Sequence, residues 1–222
     1  MNIKHALLFA AGLALASAAQ ANVIEDFESG SLAAYANSAS GTLSAASAHD
    51  GTLGLGTSNG GWLYRTDALV SEGDTLSVWV MFGGLSGRAY FGFGTTAGGT
   101  QSFVLAPNTG DIRFQNNPGF NFDELDTSAQ TFAADHWYRA EVLWGAGGAV
   151  TGNLYDSDGT TLLNSVSSTV SFSSAGGIAF RGFGGTVSFD TVEVTNVPEP
   201  ATLALLGLGF VGLAFSKRRT RS

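Results

Sequence analysis

The fold class read from the sequence is all-β, with residues 22–196 forming two packed antiparallel sheets. Three observations carry it. Apolar and polar residues alternate with period two in short runs, the runs are rich in β-branched and aromatic residues, and Gly, Ser, Asn and Asp separate them without any sustained helical period. Between Gly30 and Gly61 large apolar residues are scarce, which predicts long loops around a few short strands. In "TLSVWVMF" (75–82), Leu76, Val78, Val80 and Phe82 fall on one face, and Ser77, Trp79 and Met81 on the other. "GRAYFGFG" (87–94) has glycines at strand spacing and no helix after it, so it is not a phosphate loop. "DIRFQ" (111–115) alternates likewise. "WYRAEVLW" (137–144) opposes Tyr138, Ala140, Val142 and Trp144 to Trp137, Arg139, Glu141 and Leu143. "TGNLYD" (151–156), "GIAFRGF" (177–183) and "VSFDTVEV" (187–194) complete the pattern. Roughly a dozen strands of this kind predict a sandwich. "DSDG" (156–159) reads as a hairpin turn, since it lacks the other ligands of a calcium loop.

Composition narrows the function classes. The chain has 222 residues, enough for one sizeable domain plus targeting segments. Between Asn22 and Val197 lie five arginines (Arg65, Arg88, Arg113, Arg139, Arg181), no lysine and 17 acidic residues, a net charge of −12. Such a surface repels phosphate backbones and argues against nucleic-acid binding. With no cysteine there is neither a disulfide nor a thiolate zinc site. His49 and His136 are far apart and lack ligand spacing, which disfavours a transition-metal enzyme.

The two ends read as targeting segments. Residues 1–21 carry Lys4, an apolar run from Ala6 to Ala16, and Ala19-Gln20-Ala21 as small residues for signal peptidase. This is a signal peptide cut before Asn22. Pro200 to Ser216 is an uncharged stretch of 17 residues. As a helix it reaches about 25 Å, slightly short of a hydrocarbon core of about 30 Å. Lys217, Arg218, Arg219 and Arg221 follow directly as a basic stop-transfer cluster, placing the tail on the cytoplasmic side. A C-terminal transmembrane helix with the domain facing outward is the expectation.

Val197-Pro198-Glu199-Pro200, the Leu/Gly-rich stretch and the Arg-rich terminus together resemble the PEP-CTERM sorting signal of Gram-negative bacteria, over residues 197–222. The resemblance implies recognition by exosortase, cleavage near the Pro-Glu-Pro triplet, and release from an inner-membrane intermediate facing the periplasm to the cell surface or extracellular matrix. It also associates the chain with exopolysaccharide and biofilm formation. Two prolines keep the triplet extended and accessible to a protease. A permanent, uncut anchor is the alternative.

The body, through "DFESGSL", "HWYRAEVLW", "GNLYDSDGTTL" and "VSFDTVEV", resembles the concanavalin A-like lectin/glucanase jelly rolls. A galactose-binding-like jelly roll is the rival family, and both are antiparallel β-sandwiches. Retaining glucanases of the first family use Glu-x-Asp-x-Glu on one strand, and their mechanism needs two carboxyl groups about 5 Å apart. The nearest match is Glu124 and Asp126, where Ser128 and Ala129 occupy the acid/base positions. That run follows "QNNPGFNFD", which reads as loop rather than mid-sheet strand. The chain is therefore expected not to be an enzyme. If Trp79, Arg113, Gln115, Arg139, Glu141 and Arg181 share the outer face of one sheet, the indole offers a sugar platform and the polar groups bind hydroxyls or carboxylates. The competing reading makes Trp79 core and the charges cross-strand pairs. The resemblance also implies a structural calcium ion between the first and last strands, drawing on Asp26 and Asp190.

These observations lead to an exported non-catalytic protein associated with extracellular polysaccharide, partnered by signal peptidase and exosortase. A divergent glycan-active hydrolase and a purely structural surface protein are the alternatives.

Overall fold

The structure is a computed structural model and describes residues 21–58, 60–67, 69–171 and 175–196. Residues 1–20 of the expected signal peptide, Val197-Pro198-Glu199-Pro200, the expected transmembrane helix and the basic cluster Lys217, Arg218, Arg219 and Arg221 lie outside the described residues. Among the described residues no helix is long and apolar enough to cross a membrane.

Fourteen strands make up the described chain: β1 (Ala21–Glu25), β2 (Gly41–Ser44), β3 (Gly54–Thr57), β4 (Leu63–Tyr64), β5 (Asp74–Phe82), β6 (Arg88–Thr96) and β7 (Gly99–Ala106), followed by β8 (Asp111–Pro118), β9 (Asp123–Ala129), β10 (Trp137–Trp144), β11 (Ala149–Tyr155), β12 (Leu162–Thr169), β13 (Gly177–Phe183) and β14 (Val187–Asn196). An eight-stranded sheet runs β12-β11-β10-β5-β14-β3-β2, with β1 also alongside β14. A six-stranded sheet runs β4-β13-β6-β7-β8-β9. The strand pairs with described registers are all antiparallel, as in Tyr138↔Val80 and Ala140↔Val78 between β10 and β5. The all-β antiparallel sandwich expected from the sequence is the fold observed.

The alternation places its apolar faces as expected. Leu76, Val78, Val80 and Phe82 of β5, with Tyr138, Ala140, Val142 and Trp144 of β10, belong to one buried core. Facing them are Phe91 and Phe93 of β6, Phe103 and Leu105 of β7, Ile112 and Phe114 of β8, and Ile178 and Phe180 of β13. Rings meet edge-on across this layer, as Phe93 does with Trp144 at 5.2 Å between centroids. Gly152 of β11 has a steric reason to be glycine. A Cβ there would lie 2.5 Å from a Phe103 ring carbon of the other sheet.

One feature differs from the sequence reading. "ELDTSA" lies within strand β9 rather than a loop, although it is an edge strand. Its polar composition suits an edge, where one side has no ladder partner. The segment from Gly30 to Gly61 does contain loops around the short strands β2 and β3. The two sheets are also joined at one side by side-chain hydrogen bonds between β9 and β12. Ser128 Oγ donates to Asn164 Oδ1 at 3.0 Å, Asn164 Nδ2 to the Ala129 carbonyl at 2.7 Å, and Ser168 Oγ to Asp126 Oδ2 at 2.9 Å.

Candidate functional site

The six residues expected on one face divide between the two sheets. Trp79, Arg139 and Glu141 lie on β5 and β10, on the outer side of the eight-stranded sheet. Arg113 and Gln115 lie on β8 and Arg181 on β13, on the outer side of the six-stranded sheet. The single shared face is therefore corrected. Alternation fixes which way a side chain points from its own sheet, but not which sheet a strand joins.

On the eight-stranded sheet the expected residues close on one another. The His49 ring stacks on Trp79, centroids 3.8 Å apart and nearly parallel, so one indole face is covered. Arg139 donates to Glu141 Oε2 at 2.8 Å and to the Gly159 carbonyl at 3.3 Å. The remaining Glu141 oxygen accepts from Asn153 and from the Tyr155 hydroxyl. This is a satisfied cross-strand network, which matches the reading of ordinary cross-strand pairs. Farther along the same face, a groove of about 470 Å³ is lined mainly by hydroxyl groups, including Thr42, Ser44, Ser47, Thr57, Thr186 and Ser188.

On the six-stranded sheet, Arg113 and Gln115 are structural as well. Arg113 forms ion pairs with Asp111 and Glu124, and Gln115 accepts from Asn117 Nδ2 at 3.2 Å. Burial works against the Asp111 carboxylate, but hydrogen bonds from Arg113 and Thr109 outweigh it and hold its pKa below the usual range. The β8–β9 pairing shifts register between Arg113, which pairs with Thr127, and Gln115, which pairs with Glu124. Glu124 turns to Arg113 and Arg88, and Asp126 to Ser168 of the other sheet. The two carboxylates thus serve different partners, which is not the flanking pair a retaining glycosidase needs.

Arg181 stands apart. Its backbone pairs with Tyr90 on the neighbouring strand β6. Its guanidinium carbon sits 4.6 Å from the centroid of Phe122, 4.7 Å from Tyr90, 5.1 Å from Phe183 and 6.0 Å from Trp62. Each such cation–π contact contributes about 0.5–2 kcal/mol, the upper value when desolvated. Nε donates to the carbonyl of Gly60, whereas the buried Nη1 has no hydrogen-bond partner. Burial pushes the Arg181 pKa below the ordinary arginine value. The residue is only 8% exposed, while Phe122 and Phe183 are each 50% exposed. A buried cation thus lies beneath two half-exposed aromatic rings.

Sequence reasoning missed four parts of this arrangement: Trp62, Tyr90, Phe122 and Phe183. The readable signal was aromatic residues in glycine-rich turns, Trp62 after "NGG" and Phe122 within "GFNFD", where no strand periodicity assigns them to the core. Trp62 is fixed by its indole N–H donating to the Phe120 carbonyl at 3.2 Å and stacks with Phe122.

The residues expected to hold calcium do not fit it. Asp190 is fully buried, and its oxygens accept backbone N–H groups from His49, Asp50 and Thr191. N–H groups aimed at both oxygens suit an anion that anchors the 49–50 turn, not a calcium ligand set. Burial, partly offset by those donors, holds the Asp190 carboxyl above the usual range. Asp26 accepts instead from the Glu28 N–H. Among the described residues no group of three or more His, Cys, Asp or Glu side chains converges as a metal site.

Comparison with known proteins bears on both parts of the chain. No curated protein sequence matches it. Carbohydrate binding module CBM66 from Bacillus subtilis superposes with a TM-score of 0.52 at 12% identity, covering 64% of this chain and 86% of the module. A protein of unknown function from Shewanella oneidensis MR-1 superposes with a TM-score of 0.51 at 12% identity, covering 88% and 94%. At these identities the likeness is one of fold. Residues 196–219 match the PEP-CTERM protein-sorting motif, so the chain is a β-sandwich followed by that motif.

Proposed function

We propose that this is an exported, non-catalytic surface or matrix protein, sorted by exosortase, that binds extracellular polysaccharide on the outer face of its six-stranded sheet. The observation that carries the binding assignment is the pair of half-exposed rings, Phe122 and Phe183, flanking the buried Arg181, whose Nη1 has no hydrogen-bond partner. Exposed aromatic faces stack on the apolar faces of sugar rings, and a nearby donor fixes their orientation. The divergence of Glu124 and Asp126 supports a role without turnover. The PEP-CTERM motif supports the route, with signal peptidase acting at the start and exosortase near Pro198.

Polysaccharide affinity gels with the purified full chain test the binding assignment, with reducing-end assays run in parallel. Retardation by a glycan gel, weakened about tenfold by Phe122→Ala, is expected. Absence of retardation on every glycan leaves a purely structural protein, and turnover abolished by Glu124→Gln establishes a hydrolase instead. Intact mass of the surface-released protein reads the route, with a C-terminus near Pro198 expected.

A further inference from the structure

We propose that Arg181 forms an anion subsite, its Nη1 receiving the carboxylate of a uronic-acid unit in an acidic polysaccharide. The inference rests on the glycan-binding reading above and names the substrate class of that face. Among the described residues, Arg65, Arg88, Arg113 and Arg139 each form an ion pair with a carboxylate, and Arg181 forms none. It is also the arginine whose Nη1 is buried without an acceptor. Aromatic faces offset part of the charge and the Tyr90 hydroxyl interacts with the guanidinium, but none of them supplies a full counter-charge. A buried cation without a counter-charge is an unfavourable arrangement, and an incoming anion relieves it.

The geometry favours a carboxylate over a hydroxyl. A sugar hydroxyl satisfies one N–H and leaves the charge uncompensated, whereas a carboxylate supplies both an acceptor and the opposite charge. The negative groups on the same face do not oppose this, because Asp111 and Glu124 are already held by Arg113 and Arg88. Phe122 and Phe183 lie over the guanidinium and are each half exposed, and a carboxylate reaches the buried Nη1 when these rings shift aside while staying at the surface. The same two rings stack on the neighbouring sugars. The strongly acidic domain repels polyanions at long range, so binding depends on this local pairing and not on general attraction.

The test compares polygalacturonate, dextran sulfate and neutral dextran by isothermal titration calorimetry with the purified full chain in detergent. Polygalacturonate is expected to bind about 10- to 100-fold more tightly than dextran. Arg181→Gln is expected to remove that preference with the near-UV circular dichroism unchanged. Arg181→Lys, which keeps charge but loses the planar fork, retains part of it. Phe183→Ala weakens binding of both glycans and leaves the preference in place. Equal affinity for polygalacturonate and dextran overturns the anion subsite while leaving the glycan reading standing. Tighter binding of dextran sulfate overturns the carboxylate assignment, and binding of none of the three overturns both. The wild-type comparison decides between these outcomes even if an Arg181 variant does not fold.

Discussion

Gly60 shows how much the candidate site depends on one backbone position. Its φ of 76° lies in the left-handed region, and its carbonyl accepts the Arg181 Nε–H. Its own N–H donates to the Gly182 carbonyl at 3.0 Å, tying the turn to strand β13. A Cβ at this position would meet Phe183 Cδ2 at 3.2 Å and Arg181 Nη2 at 3.4 Å. Gly60→Ala is therefore expected to cost about 1–2 kcal/mol from the left-handed conformation alone. Urea unfolding measures that cost. Glycan affinity should fall with it, because the added methyl crowds the guanidinium and ring that the site uses.

At the scale of one element, the β11–β12 hairpin is held by its turn. Asp158 Oδ1 accepts the N–H groups of Thr160 and Thr161, and Oδ2 accepts the Thr161 hydroxyl. The Thr161 hydroxyl, followed by the two backbone donors, lowers the Asp158 carboxyl to about 2. The sign follows from linkage: a carboxyl with a depressed folded value stabilises above the unfolded value of about 3.9 and loses that contribution as pH falls through its folded value. A carbon-detected carboxyl titration should give a midpoint near 2. The unfolding difference between wild type and Asp158→Ala should be full at pH 5 and shrink as pH falls toward 2. This turn also meets the eight-stranded sheet, since the Gly159 carbonyl accepts from Arg139. Loosening it acts on the Trp79 face, where the Gly159 carbonyl meets Arg139.

For the whole molecule, the decisive feature is how two sheets become one sandwich. Apolar side chains fill the interior, and edge strands β9 and β12 hydrogen-bond across the open side. Asn164 is central there, accepting from Ser128 and donating to the Ala129 carbonyl. Asn164→Ala is expected to cost about 1–2 kcal/mol by removing both bonds in a partly exposed setting. Hydrogen exchange should quicken at the amides of β9 and β12, with β6 and β7 at the sheet centre unchanged. Uniform acceleration across both sheets would show that the edge contact is not a separate closing element.

How much was legible in the sequence depends on which interaction is local. The alternation in Thr75–Phe82 and Trp137–Trp144 fixes inward and outward faces, because successive side chains of a strand point to opposite sides. The all-β class, the turn at 156–159, the scarcity of mid-chain charge and the terminal sorting motif were readable for the same reason. Strand partnership was not, since β5 joins β10 and β14 while β13 joins β4 and β6. Those pairings are set by burial of two whole faces, a property no single segment carries. The same holds for the role of each arginine. Arg113 and Arg181 both belong to alternating runs, yet one meets Asp111 and Glu124 and the other meets four aromatic rings. By itself the sequence determined that this chain folds as alternating strands and carries a sorting motif, because periodicity and terminal order are local. Only the tertiary structure decided which cation is left without an anion, because that depends on which distant carboxylates and rings the sheet brings beside it.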